Sequence, residues 1–441
     1  MAREDCGIGI IGLGVKGRTL ALNFAAHGIG VAAWDSNRDR LGALLESADG
    51  DPQVLGAGDL DEFAGALGSP KIVAMFMPRG ESVDEMIRLV RPRLGVGDIL
   101  IDGSDSHFAD TRRRHDDLAA DDIAYFGAGF AGTQADLRHG PSIMVGGPEM
   151  AWETIEPLLW TIAAKVDDEV SLAWVGPVEA GHYVKMVHDA LEQTLVQLIG
   201  ESCDFMKRSL GLNDDQLRSV FMQWNESEVR GRAIESAAAV VGGDGGPDEP
   251  NGAGARACRE AMDLQVPAPC MAAAVAGRDM FRYEDLRAVA EVKFEGRHDP
   301  QDGDTEAMVH QLKLAAYATM LISFSEGFWL LRSGSEAHDY SLDLPAVARL
   351  WRGGSPLRGA VLDCVCEALS ADPDTRNVLL DDQIAWELSN IREDLREIVA
   401  AGIYAGLPVP VLSAAVGAYD GLSSPWLPTE LVHRLQGFLA P

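Results

Sequence analysis

The chain has 441 residues, 47% of them hydrophobic, and a formal net charge of -31. That length buries large cores and exceeds one typical domain, so two or three domains are expected. A surface this negative repels nucleic acid and anionic membrane, which excludes both as partners. It leaves room for an anionic small molecule held by a few local cations.

The six cysteines, Cys6, Cys203, Cys258, Cys270, Cys364 and Cys366, are scattered. Only the last two are close, and a C-x-C pair alone is no metal site, so no metal is expected. Reduced thiols and a cytoplasmic location are the expectation. The first apolar run has no basic segment before it and leads into a glycine turn, so it reads as a strand and not a signal peptide. No apolar stretch is expected to reach membrane-spanning length.

In chain order, strands are expected at Gly7–Gly12, Gly30–Asp35, Lys71–Met77, Asp98–Asp102, Ile123–Phe126, Ser142–Gly146 and Leu172–Gly176. Helical patterns such as Lys16–His27 and Ser82–Val90 lie between them. This alternation predicts a parallel, doubly wound α/β sheet of the Rossmann type over residues 1–176. After Gly176 the pattern becomes helical. Glu179–Leu210 and Gln311–Arg332 read as long helices, and Gly242–Gly254, rich in Gly, Pro and Asp, as a loop. Residues 177–441 are therefore expected to form an all-helical domain.

Gly12-Leu13-Gly14-Val15-Lys16-Gly17 spells G-x-G-x-x-G between a strand and a helix. The first glycine permits the tight turn, the second lets backbone approach a pyrophosphate, and the third lets helix and strand pack closely. Asp35 ends the second strand, 18 positions after Gly17. A carboxylate there accepts hydrogen bonds from ribose hydroxyls and repels a 2′-phosphate, so NAD is expected over NADP. Two alternatives stay open: Asp35 as a cap of the next turn, and rescue of NADP by Arg38 or Arg40.

Between Gly181 and Gly200 lie Lys185, His188, Asp189, Glu192 and Gln193. Positions i, i+3, i+4 and i+7 share a helix face, which sets Lys185 and Glu192 two turns, roughly 10 Å, apart. A solvated charged stripe is the bland reading. The neighbouring positions are mostly apolar, however, and buried charges are costly unless paired or used.

The run Gly181-His182-Tyr183-Val184-Lys185-Met186-Val187-His188 resembles the catalytic helix of 6-phosphogluconate dehydrogenases. So do Ile101-Asp102-Gly103, Gly140-Pro141-Ser142, Trp351-Arg352-Gly353-Gly354 and Leu379-Leu380-Asp381-Asp382. The resemblance implies a nicotinamide-binding first domain, a helical second domain that makes a homodimer, and oxidative decarboxylation of a 3-hydroxy acid. It implies Lys185 as general base and Glu192 as the acid that protonates the enediol. Lys185 would then need a lowered pKa, through burial or a nearby cation, and Glu192 would need to be protonated. Beside Gly12, Gly14, Gly17 and Asp35, Met77 and Asp105 are assigned to the cofactor.

The substrate pocket departs from the family pattern. Asp105 and Asp189 stand where the family has Asn, Ala131-Gly132-Thr133 replaces Ser-Gly-Gly, and Gln193 replaces a phosphate-binding Tyr. Asn251-Gly252-Ala253-Gly254-Ala255-Arg256-Ala257 is the best match to a Lys- and Thr-rich stretch that grips substrate. Arg278 matches a phosphate-binding Arg, and Arg256 and Arg259 are candidates to compensate for lost cations. Gln436–Pro441 matches a tail that supplies Arg and His to a partner subunit. Charge-assisted contacts are worth about 1.5–3 kcal/mol each, so losing three weakens binding on the order of a thousandfold or more.

The substrate site is thus expected to comprise Asp105, Gly132, Thr133, His188, Asp189, Gln193 and Arg278. The expected activity is NAD-dependent oxidative decarboxylation of a sugar-acid-like 3-hydroxy acid other than 6-phosphogluconate. The alternatives are a true 6-phosphogluconate dehydrogenase with a rebuilt phosphate site, an NAD-binding regulatory protein without turnover, and dehydrogenation without decarboxylation.

Overall fold

The computed structural model describes residues 5–243, 252–294 and 304–439. Compactness divides the chain into two units. The first comprises Met1–Glu192, Arg230–Ala233 and Phe328–Val378; the second comprises Gln193–Val229, Ile234–Gly327 and Leu379–Pro441.

Among the described residues the first unit holds ten strands: β1 (Ile8–Ile11), β2 (Val31–Trp34), β3 (Val54–Gly56), β4 (Ile72–Met75), β5 (Ile99–Asp102), β6 (Ala124–Ala131), β7 (Ser142–Gly146), β8 (Lys165–Val166), β9 (Glu169–Val170) and β10 (Leu172–Gly176). Eight form one sheet in the order β10-β7-β6-β5-β4-β1-β2-β3. Successive side chains of the central strands enter cores on opposite faces. Ile8 and Ile10 pack on one side and Ile11 on the other, as do Ile99 and Ile101 against Leu100. A strand buried on both faces reads as an unbroken apolar run, which is why these runs were visible.

The sheet is doubly wound and parallel as expected, except at one pairing. β6 pairs antiparallel with β7, Gly127 opposite Gly146. β6 also runs to Ala131, five residues past the expected end at Phe126. β3, β8 and β9 were not expected. The last two make a hairpin through Asp167 and Asp168, both at positive φ, as the twist of a tight hairpin demands.

The Ala180–Asp204 helix starts in the first unit because glycine lets it lie on the sheet. A Cβ at Gly181 would stand 2.2 Å from the Gly127 carbonyl oxygen and 2.5 Å from the Gly146 amide nitrogen. The helix continues as a π turn over Phe205–Ser209. The expectation about membrane-spanning length is also corrected. The Thr305–Ala337 helix has 33 residues and a window of mean hydropathy 1.3, but 89% of that window is buried within the protein, as suits a core helix. The expected Gly242–Gly254 loop lies mostly outside the described residues, and its end is not loop, since a helix starts at Ala253.

Two helices of the second unit begin with proline after residues that cannot cap them. Pro269–Asp279 follows Ala268, and Pro410–Ser423 follows Val409. Buried carboxylates from the long helices take that role. Glu326 accepts from the amides of Cys270 (2.9 Å) and Met271 (3.1 Å). Glu201 accepts from those of Val411 (3.0 Å) and Leu412 (3.1 Å).

Candidate active site

The glycine turn has the geometry its spacing predicts. Gly12 sits at φ +87°, and a Cβ there would lie 2.4 Å from the Phe76 carbonyl oxygen. A Cβ at Gly17 would lie 2.0 Å from the Gly12 carbonyl oxygen, so the helix meets the strand only through glycine. Gly14 faces open space and is the N-cap of the Val15–Ala26 helix, with no side-chain cap on the helix amides. An open cradle above an uncapped helix end fits a pyrophosphate.

Asp35 is buried. It accepts from the amides of Leu13 (2.7 Å) and Asn37 (2.8 Å). It therefore ties the glycine turn to β2 and also caps the next turn, so the alternative reading describes part of its role. Arg40 approaches Asp35 at 3.7 Å, while Arg38 is directed at the carbonyls of Ala57 and Gly58. The Met77 amide donates to the Ser104 hydroxyl (3.0 Å).

Asp102, fully buried at the end of β5, organises the loop that follows. It accepts from the Ser104 amide (3.0 Å), the Ser106 hydroxyl (2.7 Å) and the Tyr125 hydroxyl (2.8 Å), with the Arg114 guanidinium at 3.5 Å. Within this loop Asp105 adopts φ +47°. Its carboxylate meets Lys16 of the glycine turn at 2.7 Å and Lys185 at 3.9 Å. Desolvation opposes its charge, but Lys16 and Lys185 hold its pKa below the ordinary carboxylate value.

Lys185 is buried, its stem packed on β6. A Cβ at Gly129 would stand 2.5 Å from the Lys185 Cβ. Its ammonium donates to Asp189 one helical turn on. The same Asp189 oxygen accepts from His188 Nδ1 (3.0 Å). An ionised carboxylate has no proton to give, so Nδ1 carries the hydrogen and Nε2 accepts from the Ser355 hydroxyl (2.8 Å). Burial keeps the His188 pKa below its ordinary value, so the ring is neutral.

The expected lowered pKa of Lys185 is not found. Burial pulls it down, but Asp189, Asp105 and, more weakly, Glu192 outweigh burial and raise it above the ordinary lysine value. The correction follows from the two acids the sequence had flagged as departures: they surround the lysine and keep its proton. Asp189 is in turn held below the usual range by Lys185 and His188, against its own desolvation. Glu192 shifts the other way from Asp189: burial first, and Asp189 second, push its carboxyl up to about 7.

His188, Asp189 and Glu192 bring ligand atoms within 4.8 Å of one another. Both ring nitrogens of His188 and the shared Asp189 oxygen are already engaged in hydrogen bonds. The hydrogen bonds of this trio therefore compete with any metal for the same atoms.

Thr133 caps the short Gln134–His139 helix in a capping box with Asp136. Gly132, at φ +130°, lies against Gly354, whose carbonyl oxygen would be 2.7 Å from an added Cβ. This places the turn beside Ser355, the partner of His188. Arg358 pairs with Asp136 (3.3 Å), and Arg232 reaches the Thr133 hydroxyl (3.5 Å). Sequence reasoning missed Ser355, Arg232, Arg358 and the Lys16–Asp105 pair. Lys16, inside the glycine motif, was the one available signal.

Gln193 and Arg278 belong to the second unit. A Cβ at Gly254 would lie 2.5 Å from Gln193 Oε1 and 2.8 Å from Val275 Cγ2, so glycine there lets the Gln193 side chain pack against this helix. Arg278 is half-buried in the last turn of its helix. Asn251, in the matched glycine-rich stretch, and Ala440 and Pro441, in the matched tail, lie outside the described residues.

Residues 7–176 match the family model described as the NAD binding domain of 6-phosphogluconate dehydrogenase. Residues 181–438 match that of the 6-phosphogluconate dehydrogenase C-terminal domain. The chain is 34% identical over 443 residues to "6-phosphogluconate dehydrogenase, decarboxylating 1" of Saccharomyces cerevisiae, covering 98% of this chain and 91% of the relative. It is 34% identical over 451 residues to "6-phosphogluconate dehydrogenase, decarboxylating" of Homo sapiens, covering 99% and 93%. Among solved structures, that of Plasmodium falciparum 6-phosphogluconate dehydrogenase superposes with a TM-score of 0.91 at 29% identity, covering 98% of this chain and 96% of that one.

Proposed function

The chain belongs to the 6-phosphogluconate dehydrogenase family and is a nicotinamide-dependent dehydrogenase acting on a CH-OH group, and on that premise we propose that it oxidatively decarboxylates 6-phosphogluconate. The observation that carries the reading is the Lys185–Glu192 face. A lysine and a carboxyl group lie two turns apart on one face of the Ala180–Asp204 helix, with the carboxyl pushed up to about 7 so that it holds a proton near neutrality. A bound nicotinamide dinucleotide supplies the hydride acceptor, held by the Gly12–Gly17 turn and Asp35. Lys185 takes the proton of the substrate hydroxyl as a base. Glu192 gives a proton to the enediol left after carbon dioxide departs. His188, fixed as the Nδ1–H tautomer, lines the same face with Asp189, beside Gly132 and Thr133. Residues 1–176 form the dinucleotide-binding part in this reading, and residues 177–441 the substrate-binding and dimerising part.

The substrate choice rests on the curated relatives, which are named for 6-phosphogluconate over nearly the whole chain. It replaces the expectation of a different acid, for which neither the relatives nor the geometry gives a positive indication beyond the altered residues. One observation still favours that second reading. Two carboxylates, Asp105 and Asp189, now crowd the base, and each disfavours an anionic ligand. For the cofactor we propose NAD, because a buried carboxylate, Asp35, follows β2 and touches the glycine turn, and an acid in that part of the motif favours ribose hydroxyls over a 2′-phosphate. The Plasmodium protein is described in complex with NADP+. The six free cysteines support a cytoplasmic location.

The test is NADH and NADPH formation, with carbon dioxide release, from 6-phosphogluconate and from gluconate. Turnover of 6-phosphogluconate with stoichiometric carbon dioxide supports the proposal. Turnover of gluconate alone moves the assignment to the second reading, and dinucleotide binding without turnover of any acid sinks both. NAD is expected to exceed NADP in kcat/KM. Asp35→Asn should narrow that ratio about tenfold, roughly 1.4 kcal/mol of discrimination.

A further inference from the structure

We propose that Asp189 is a positioning residue for this reaction, one that anchors the Lys185 ammonium so that the free enzyme waits with its base protonated and in place. The inference rests on the functional reading above. Its foundation is geometric. Asp189 lies one helical turn after Lys185, both side chains are buried, and they are in direct contact. The same carboxylate oxygen orients His188, and Ser355 fixes the far side of that ring. One oxygen thus holds both the Lys185 ammonium and the His188 ring.

Other charges facing Lys185 act in the same direction but from farther away. Asp105, from the loop after β5, stands at 3.9 Å and shares its charge with Lys16. Glu192, on the helix itself, acts only at longer range. His188 is neutral, and β6 contributes Gly129, which has no charge. Asp189 is therefore the dominant partner. A lysine that must accept a proton cannot do so while this pair is intact, so the ammonium must first release a proton to solvent. In the free enzyme that requirement appears as an acid limb in the pH profile of kcat/KM.

The arrangement also separates two roles a single residue could confuse. An amide at position 189 could still accept a hydrogen bond from Lys185 and keep its place. It could not hold the charge. Asp189→Asn should therefore move the acid limb to lower pH by one unit or more. At a fixed pH on that limb, kcat/KM should then rise about tenfold over the wild type. Asp189→Glu, which restores the carboxylate, should return the limb toward the wild-type position. Asp105→Asn should move it less than Asp189→Asn does, because its charge is shared.

Two measurements decide the matter. The first is the pH profile of kcat/KM for the wild type and the three variants, with 6-phosphogluconate as substrate. The second is the NMR titration of 13C-labelled lysine side chains in the dinucleotide-free protein, with the Lys185 signal assigned by its loss in Lys185→Arg. A limb and a Lys185 signal that both move down in Asp189→Asn support the inference. A limb and signal unmoved in Asp189→Asn overturn it, as does an equal shift in Asp105→Asn. If the wild type oxidises no acid, the functional reading fails, while the Lys185 signal still reports on the ion pair.

Discussion

At the scale of single residues, the site depends on where the Lys185 amine is held. Lys185→Met removes the proposed proton acceptor but leaves the glycine turn intact. Activity is expected to fall about 10²–10⁴-fold, with dinucleotide affinity by fluorescence titration unchanged. Loss of dinucleotide binding would instead mean that the substitution disturbs the fold of the first unit. Gly129→Ala approaches the same atom from the opposite side. The new methyl would start 2.5 Å from the Lys185 Cβ, so the lysine stem must move. We expect kcat to drop at least about tenfold, with a stability cost of about 1–3 kcal/mol in urea unfolding. An unchanged kcat would show that the stem finds another route to the same point. The candidate face was legible because Lys185, His188, Asp189 and Glu192 obey one helical period. The contacts that complete it were not. Lys16 and Asp105 are 89 positions apart, and His188 and Ser355 are 167 apart, so their meeting depends on how strands and loops cross and not on any local spacing. The charge state of Lys185 was misjudged for the same reason. Asp105 and Asp189 were each noticed, but only the fold places both around one amine.

At the scale of elements, legibility follows burial and length. The four-residue cores of β1, β4 and β5 were visible because both faces are apolar. β3, with three residues, and the two-residue β8 and β9 carry too little pattern to stand out. The antiparallel β7 was visible as a strand, but its direction was not, because direction is set by the connection and not by composition. Helix termini hold a further dependence that sequence hid. Glu326 caps the Pro269–Asp279 helix from the distant Thr305–Ala337 helix, and desolvation pushes its pKa up to about 7, against its hydrogen bonds to Cys270 and Met271. A carboxyl whose folded pKa is raised favours the folded state below its unfolded pKa. That contribution fades as pH rises through about 7. Glu326→Gln cannot titrate, so the stability of the wild type relative to this variant should decline between pH 4.5 and 7 by up to about 3 kcal/mol. Urea unfolding of both proteins at pH 5 and pH 8 measures this. A difference that stays constant would mean that the carboxylate is better solvated than its burial implies.

At the scale of the whole molecule, two tendencies oppose each other. A net charge of -31 drives copies apart, whereas two helices of the second unit leave apolar faces uncovered. Glu284–Phe294 exposes Leu286, Val289 and Val292 at three-residue spacing, and Thr429–Leu439 exposes Leu431, Leu435 and Phe438. Neither helix buries a single residue. Apolar stripes of this kind are characteristic of surfaces that meet another protein, and a second copy of the chain is the partner we propose. The expected result is a mass of two chains by light scattering. Leu435→Asp combined with Phe438→Asp should shift the mass to one chain, because each adds a charge to the surface that must be desolvated. Salt discriminates the force involved. Screening shortens the reach of like-charge repulsion to about 8 Å at physiological ionic strength, so an association driven by apolar burial against net repulsion should tighten from 20 to 500 mM NaCl. One held by ion pairs should loosen over the same range. A dimer that tightens and is broken by the two aspartates assigns the contact to these helices. A dimer that loosens, or one indifferent to the substitutions, places the contact elsewhere on the surface.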